Sequence, residues 1–197
     1  MFQQVAEFYM TYAEHLITVV LALCVFCAAL GKSWNWPIGL VGVTMYGMHA
    51  WFVWGLYADA LLQIFYFATG VFGWIWWTRG GKNRKPAPVT DCTWLEKGLI
   101  LTVIGFCTYH WGMYLTDTTD STVPYMDSFT TVTCFIAQLL LMFRNRFTWI
   151  LWIIADVVYV YLFYVKGLNL LSIEYALFTL NAAFGYYMWT KQRVVGK

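Results

Sequence analysis

Seven apolar windows, each about as long as a bilayer is thick, run through this chain almost end to end. A helix rises about 1.5 Å per residue, so roughly 20 apolar residues cross a hydrocarbon core about 30 Å thick. The windows fall at 12–31, 37–54, 58–78, 95–116, 124–143, 147–165 and 170–190. Inside hydrocarbon every backbone N–H and C=O must find its partner within the protein, and for single apolar runs that means helix. The composition agrees: 61% of the 197 residues are hydrophobic and 11% are charged, whereas a soluble domain has about a quarter charged. The N-terminus has neither the basic start nor the small-residue cleavage site of a secretory signal, so the first window is expected to remain as a span. The chain reads as one all-α integral membrane domain over 1–197, placed in a bacterial inner membrane.

Basic residues set the orientation, because Lys and Arg are retained on the cytoplasmic side. With the N-terminus outside, Lys32, Arg79, Lys82, Arg84, Lys85, Lys97, Arg144, Arg146, Lys191, Arg193 and Lys197 all fall inside. Of the 12 Lys and Arg, that leaves Lys166 outside, with Asp59, Asp117 and Asp120. The expected topology is N-out, C-in. The net charge of +2 is accounted for by this inner rim, so no nucleic-acid partner is called for, while anionic lipid heads suit it.

An internal repeat is visible. Gly55-Leu56 opens a segment that runs to Phe72-Gly73-Trp74 and Trp77; Gly167-Leu168 opens another that runs to Phe184-Gly185-Tyr186 and Trp189, 112 residues later. Extended backward without gaps, the alignment pairs Lys32 with Arg144 and Thr44 with Asp156. The chain then divides into a triple-helix bundle (12–78), a connecting helix (95–116) and a second bundle (124–190). Both triplets enter the membrane from the same side, which makes the repeat parallel, a plan used by transporters whose substrate sits near the midplane between the repeats.

Polar groups within spans are expensive, about 2.5–3.5 kcal/mol for a central Asp on insertion scales, and therefore mark candidate sites. Asp156 lies midway along the sixth window, with Trp149 and Trp152 seven and four residues before it on one helix face and Tyr159 continuing that face. A carboxylate flanked by indoles suits a flat aromatic cation, held by stacking and cation–π attraction; the alternative is a buried Asp bonded to a neighbouring helix among core tryptophans. Gln63, with Phe67, Gly70 and Trp74 on its face, can donate and accept to a ligand or serve as interhelical glue. Its repeat mate is Tyr175, beside Glu174; Glu174, Phe178, Asn181 and Gly185 share a face of the last helix. Asp127, just after Pro124, reads as a ligand contact or a helix-start residue, and Gln138 is placed deep in the fifth window. His15, His49 and His110 are scattered over three windows, Cys24 and Cys27 form a CxxC inside an apolar span without nearby His, and no Walker or Rossmann pattern occurs. Hence neither metal nor cofactor is expected, nor ATP drive nor an enzyme.

Trp149-x-x-Trp152-x-x-x-Asp156 resembles the WxxWxxxN/D motif of PnuC-type vitamin transporters. Leu61-Leu62-Gln63-Ile64-Phe65-Tyr66-Phe67 and Ser172-Ile173-Glu174-Tyr175, each leading to its Phe-Gly-aromatic triplet, are similar to that family too. The resemblance covers essentially the whole chain. It implies a SWEET-like fold and uptake of nicotinamide riboside by facilitated diffusion, with a cytoplasmic kinase trapping the vitamin, and an assembly such as a homotrimer. Members of the family carry thiamine and others riboflavin; nicotinamide riboside and thiamine are both cationic heteroaromatics, so a carboxylate at 156 suits either. The expected mechanism is a uniporter in which substrate enters between the triplets and meets Trp149, Trp152, Asp156, Gln63 and Asn181. A sugar carrier, a membrane enzyme and a structural or accessory membrane protein are the rival classes.

Overall fold

A computed structural model of the chain describes residues 2–55, 57–119, 121–165 and 167–192, with side chains from residue 12 onward except at 54 and 57–59. Leu56, Asp120, Lys166, Arg193 and Lys197, and the side chain of Asp59, lie outside that description. Seven α-helices are present among the described residues: α1 (Phe2–Ala29), α2 (Asn35–His49), α3 (Tyr57–Arg79), α4 (Trp94–Thr118), α5 (Pro124–Met142), α6 (Phe147–Val165) and α7 (Asn169–Gln192). The last turn of α2 continues as a π-helix over Ala50–Trp54. Five of the seven carry stretches long and apolar enough to cross a membrane, on α1, α3, α4, α5 and α6. The π-helix cuts α2 short, and α7 is diluted by Ser172, Glu174 and Asn181.

Local chemistry sets the helix ends. Thr93 and Glu96 form a capping box at the head of α4: Glu96 N donates to Thr93 Oγ1 at 3.3 Å and Thr93 N to Glu96 Oε2 at 2.7 Å. Pro124 opens α5, where a missing N–H costs nothing. Left-handed residues close the joints: Gly31 after α1, Gly55 after the π-helix, Gly167 after α6, and Arg144 (φ 58°) after α5. Within the helices, hydroxyls that would be costly in lipid bond back to the preceding turn, as Thr44 does to Leu40 O at 2.7 Å and Thr69 to Phe65 O at 2.9 Å.

Two compact units result, residues 1–87 and 88–197. In the first, α2 packs on both α1 and α3, and the indole of Trp36 lies where Gly73 has no side chain, edge-on to Trp77 with centroids 5.3 Å apart. In the second, Trp149 lies on Gly185 and meets Trp189 edge-on at 5.4 Å. Here α4 joins α5 and α6 around Ile104, Ala137, Phe147 and Leu151. The outward face of α4 is apolar, with Leu95 85% and Phe106 65% exposed, a surface that only lipid or another apolar face stabilises.

Candidate functional site

α6 forms from an almost unbroken apolar run, FTWILWIIADVVYVYLFYV, with one acid in it. That acid, Asp156, is 5% exposed. No Lys, Arg or His among the described residues comes within ion-pair distance of it. Cys134 of α5 and, on α6, Tyr159 lie beside it. A carboxylate in this position is uncompensated by the protein, and attracts a cation.

The two tryptophans of the same face are used differently. Trp149 is 3% exposed; its ring is committed to Gly185 and Trp189 of α7, and its indole N–H is buried without a hydrogen-bond partner. Trp36 in the first unit also has a buried, unpartnered indole N–H. Trp152 is half-buried and leans on the α4–α5–α6 cluster, which leaves part of its ring open. Trp149 therefore fixes α6 to α7, and Trp152 is the indole with surface to offer.

Beyond Asp156, toward the far end of α6, aromatic rings converge from two helices. Tyr159 and Tyr175 lie 4.7 Å apart, Phe163 stacks on Tyr159 at 5.8 Å and meets Tyr175 at 5.2 Å, and Phe178 meets Tyr175 edge-on at 5.7 Å. The Tyr159 hydroxyl reaches the Thr130 side chain of α5. Ser172 holds α7 to α6 by donating to Val160 O at 2.9 Å. Phe163 went unremarked in the sequence; its spacing of four from Tyr159 was the available signal.

The remaining candidates are spread. Glu174 and Asn181 are half-buried on α7, and Gln138 is buried on α5, next to Ala137, whose carbonyl accepts the Thr148 hydroxyl at 2.7 Å. Asp127 sits in the first turn of α5 and accepts from Ser121 Oγ at 2.6 Å, the geometry of a helix-start residue. Gln63 and Phe67 belong to the first unit, where they line an open cavity of about 330 Å³ with Val43, Thr44 and Gly47. His49, buried in that unit, has Nε2 3.9 Å from Glu14 of α1. Among the described residues no three His, Cys, Asp or Glu side chains converge to hold a metal.

Apolar helices around a few buried polar and aromatic groups, with one acid deep within a span-length helix, are the build of a membrane transporter. A family model described as nicotinamide mononucleotide transporter matches residues 11–191, and the chain belongs to that family. It is 27% identical to the nicotinamide riboside transporter PnuC of Escherichia coli (strain K12) over 207 residues, which cover 91% of this chain and 85% of that one. The protein of the same name from Neisseria mucosa is 28% identical over 185 residues, covering 86% and 68%. Among solved structures, the crystal structure of the vitamin B3 transporter PnuC matches with a TM-score of 0.67 at 22% identity, over 95% of this chain and 86% of that one; the fold is shared.

Proposed function

We propose that this protein carries nicotinamide riboside across the bacterial inner membrane by facilitated diffusion, with all seven helices spanning. The observation that carries the proposal is the buried carboxylate of Asp156, unmatched by any described protein cation, in a chain of the nicotinamide mononucleotide transporter family. The ligand's pyridinium supplies the missing positive charge. Trp152 offers its ring and Trp149 backs it; Tyr175, with Tyr159, forms an aromatic wall above the acid. Gln138, Asn181 and Glu174 supply polar partners for the ribose from the same unit, and Asp127 lies at its outer end; Gln63 and Phe67, which line the cavity of the first unit, are candidate contacts there. No proton or ion needs to move with the vitamin, and a cytoplasmic kinase that phosphorylates it makes uptake one-way. The protein works as a homo-oligomer, a trimer on the family's pattern.

The orientation is N-out, C-in, and the two triplets α1–α3 and α5–α7 are parallel repeats joined by α4. The matched joints support this. Gly31 N bonds Ala28 O, Lys32 N bonds Cys27 O and Trp36 N bonds Ser33 O; 113 residues later Arg144, Asn145 and Trp149 make the same three bonds to Leu141, Leu140 and Arg146.

Thiamine, the other cationic heteroaromatic of the family, is the second reading, favoured by the same acid. Uptake of radiolabelled nicotinamide riboside and of thiamine into proteoliposomes separates them. Saturable nicotinamide riboside flux, stopping at equal inside and outside concentrations, is the expected result. Thiamine flux alone changes the vitamin and keeps the site. Accumulation above equality, driven by a proton gradient, sinks facilitated diffusion, and flux of neither returns the chain to an accessory role.

A further inference from the structure

The chain enters the second unit as an extended strap laid along the α5–α6 joint. Thr90 N donates to Arg144 O at 3.1 Å, and Arg146 N donates to Thr90 O at 2.9 Å, a one-rung parallel bridge between Thr90 and Asn145. The next strap residue, Asp91, has a side chain only 6% exposed. Its Oδ2 accepts from Arg146 Nη2, and its Oδ1 lies 3.4 Å from Lys97 Nζ at the start of α4. Arg146 is not used up by this pair. Its Nη1 donates to Thr190 Oγ1 at 2.9 Å, and its guanidinium lies 4.7 Å above the Tyr186 ring, both on α7.

One guanidinium therefore ties the strap, the head of α6 and the tail of α7. Its two α7 partners alternate with the two residues on which Trp149 packs: Gly185 and Trp189 take the indole, Tyr186 and Thr190 take the guanidinium. Arg146 immediately precedes α6, three residues before Trp149 and at the head of the helix that carries Trp152 and Asp156. Rotation or slip of α6 against α7 would disturb the Arg146 contacts along with the Trp149 packing. We infer that Arg146, anchored by Asp91, is a positioning residue: it sets the rotation and height of α6 on α7, and so the aim of Trp152 and Asp156 at the vitamin.

The residue type supports this. Only a planar fork with several fixed donors can hold a carboxylate, a hydroxyl and an aromatic face together; a lysine ammonium at 146 could keep the acid and would lose the other two. The Asp91 side chain is 6% exposed and shared between Arg146 and Lys97, so removing Arg146 takes away its closer cation while Lys97 stays in place.

The inference rests on the vitamin-transport reading, and the experiment separates the two. Nicotinamide riboside Kd, uptake KM and Vmax, and Tm are measured on the full-length protein, wild type and Arg146→Lys. The lysine variant keeps a charge for Asp91, so its Tm stays close to wild type. Its Kd and KM rise roughly tenfold, because small misplacements of binding groups cost one to two orders of magnitude, while Vmax holds. Thr190→Val, which removes one α7 partner of the same guanidinium and leaves the ion pair intact, moves Kd the same way by a smaller factor and serves should Arg146→Lys fail to fold. A Kd unchanged in both variants, or one that shifts only in proportion to lost Tm, overturns the positioning role. Wild-type protein that binds neither nicotinamide riboside nor thiamine overturns the vitamin reading, and the aim assigned to α6 with it.

Discussion

Asp156→Ala should make the protein more stable and a worse transporter. With a cation about 5 Å from the carboxylate and an effective dielectric of about 20, the attraction is about 3 kcal/mol. Losing it raises KM for nicotinamide riboside about a hundredfold or more. The folded protein gains at the same time. The wild-type acid lies mid-helix, 5% exposed and with no described cation to offset it, and a central Asp carries a penalty of about 2.5–3.5 kcal/mol on insertion scales. Part of that returns when the side chain is cut back, less the small void left behind. Asp156→Asn should fall between: its amide oxygen still accepts a hydrogen bond, and the motif that this chain resembles admits Asn there. Initial uptake rates in proteoliposomes give KM, and a thermal melt in detergent gives Tm. A KM for the Ala variant within about threefold of wild type would refute the charge-pairing argument, and a Tm that fell by many degrees would show that the acid is part of the packing instead.

Other outcomes follow from the same geometry. A Cβ added at Gly185 would lie 2.7 Å from the Trp149 ring, and at Gly73 2.5 Å from the Trp36 ring; because indoles are stiff, each Gly→Ala change should cost about 1–3 kcal/mol. Gly98→Ala, with nothing within 4 Å, should instead stabilise α4 by up to about 1 kcal/mol, and equal melting temperatures for the three variants would remove the packing argument. The Asp91 clasp sets a pH dependence. Burial pushes the Asp91 carboxyl up, but the hydrogen bond and charge of Arg146, then those of Lys97, outweigh it and hold its pKa below 3.8. A depressed carboxyl contributes stability that is present in full above its unfolded value and is lost as pH falls through the folded one. Melts of wild type and Asp91→Asn should therefore differ by a constant amount from pH 7 to about 5 and converge in acid below about pH 4; a gap that persisted there would mean the pair contributes nothing through its charge.

Much of this was legible in the sequence because lipid removes choices. Once the apolar windows are counted, helix is dictated, and the helix limits differ from the windows mainly at the ends. The single acid of α6 stood out for the same reason. Other features did not register, each for a physical reason. Asp91 sits in a linker of basic and turn-forming residues, where a carboxylate looks solvated; only the fold lays it under Arg146, and the adjacent capping box of Thr93 and Glu96 was the one local hint. Trp149 and Trp152 share a face by periodicity, yet periodicity says nothing of what covers that face, and Gly185 covers one of them. The π-helix at Ala50–Trp54 left no trace in hydropathy, since its residues are as apolar as those of α2.

That π-helix explains why the gap-free alignment of the two halves slips. The left-handed joints Gly31 and Arg144 are 113 residues apart, while Gly55 and Gly167 are 112 apart, so the segment between joints is one residue longer in the first half. A π-turn is where an α-helix absorbs one inserted residue without losing its neighbours, and the first half has one there. Before the insertion the halves therefore correspond at 113: Trp36 with Trp149, Tyr46 with Tyr159, and Val43, in place of Thr44, with Asp156. After it they correspond at 112, as Gly73 with Gly185 and Trp77 with Trp189. The packing residues recur and the acid does not. In the first half Val43 lines a cavity with Gln63, polar but uncharged; in the second, the position of Gln63 is taken by Tyr175, within the aromatic cluster. The same tryptophan–glycine packing therefore recurs in the two units, while the polar residues beside it differ: Gln63 with Val43 in the first, Tyr175 with Asp156 in the second.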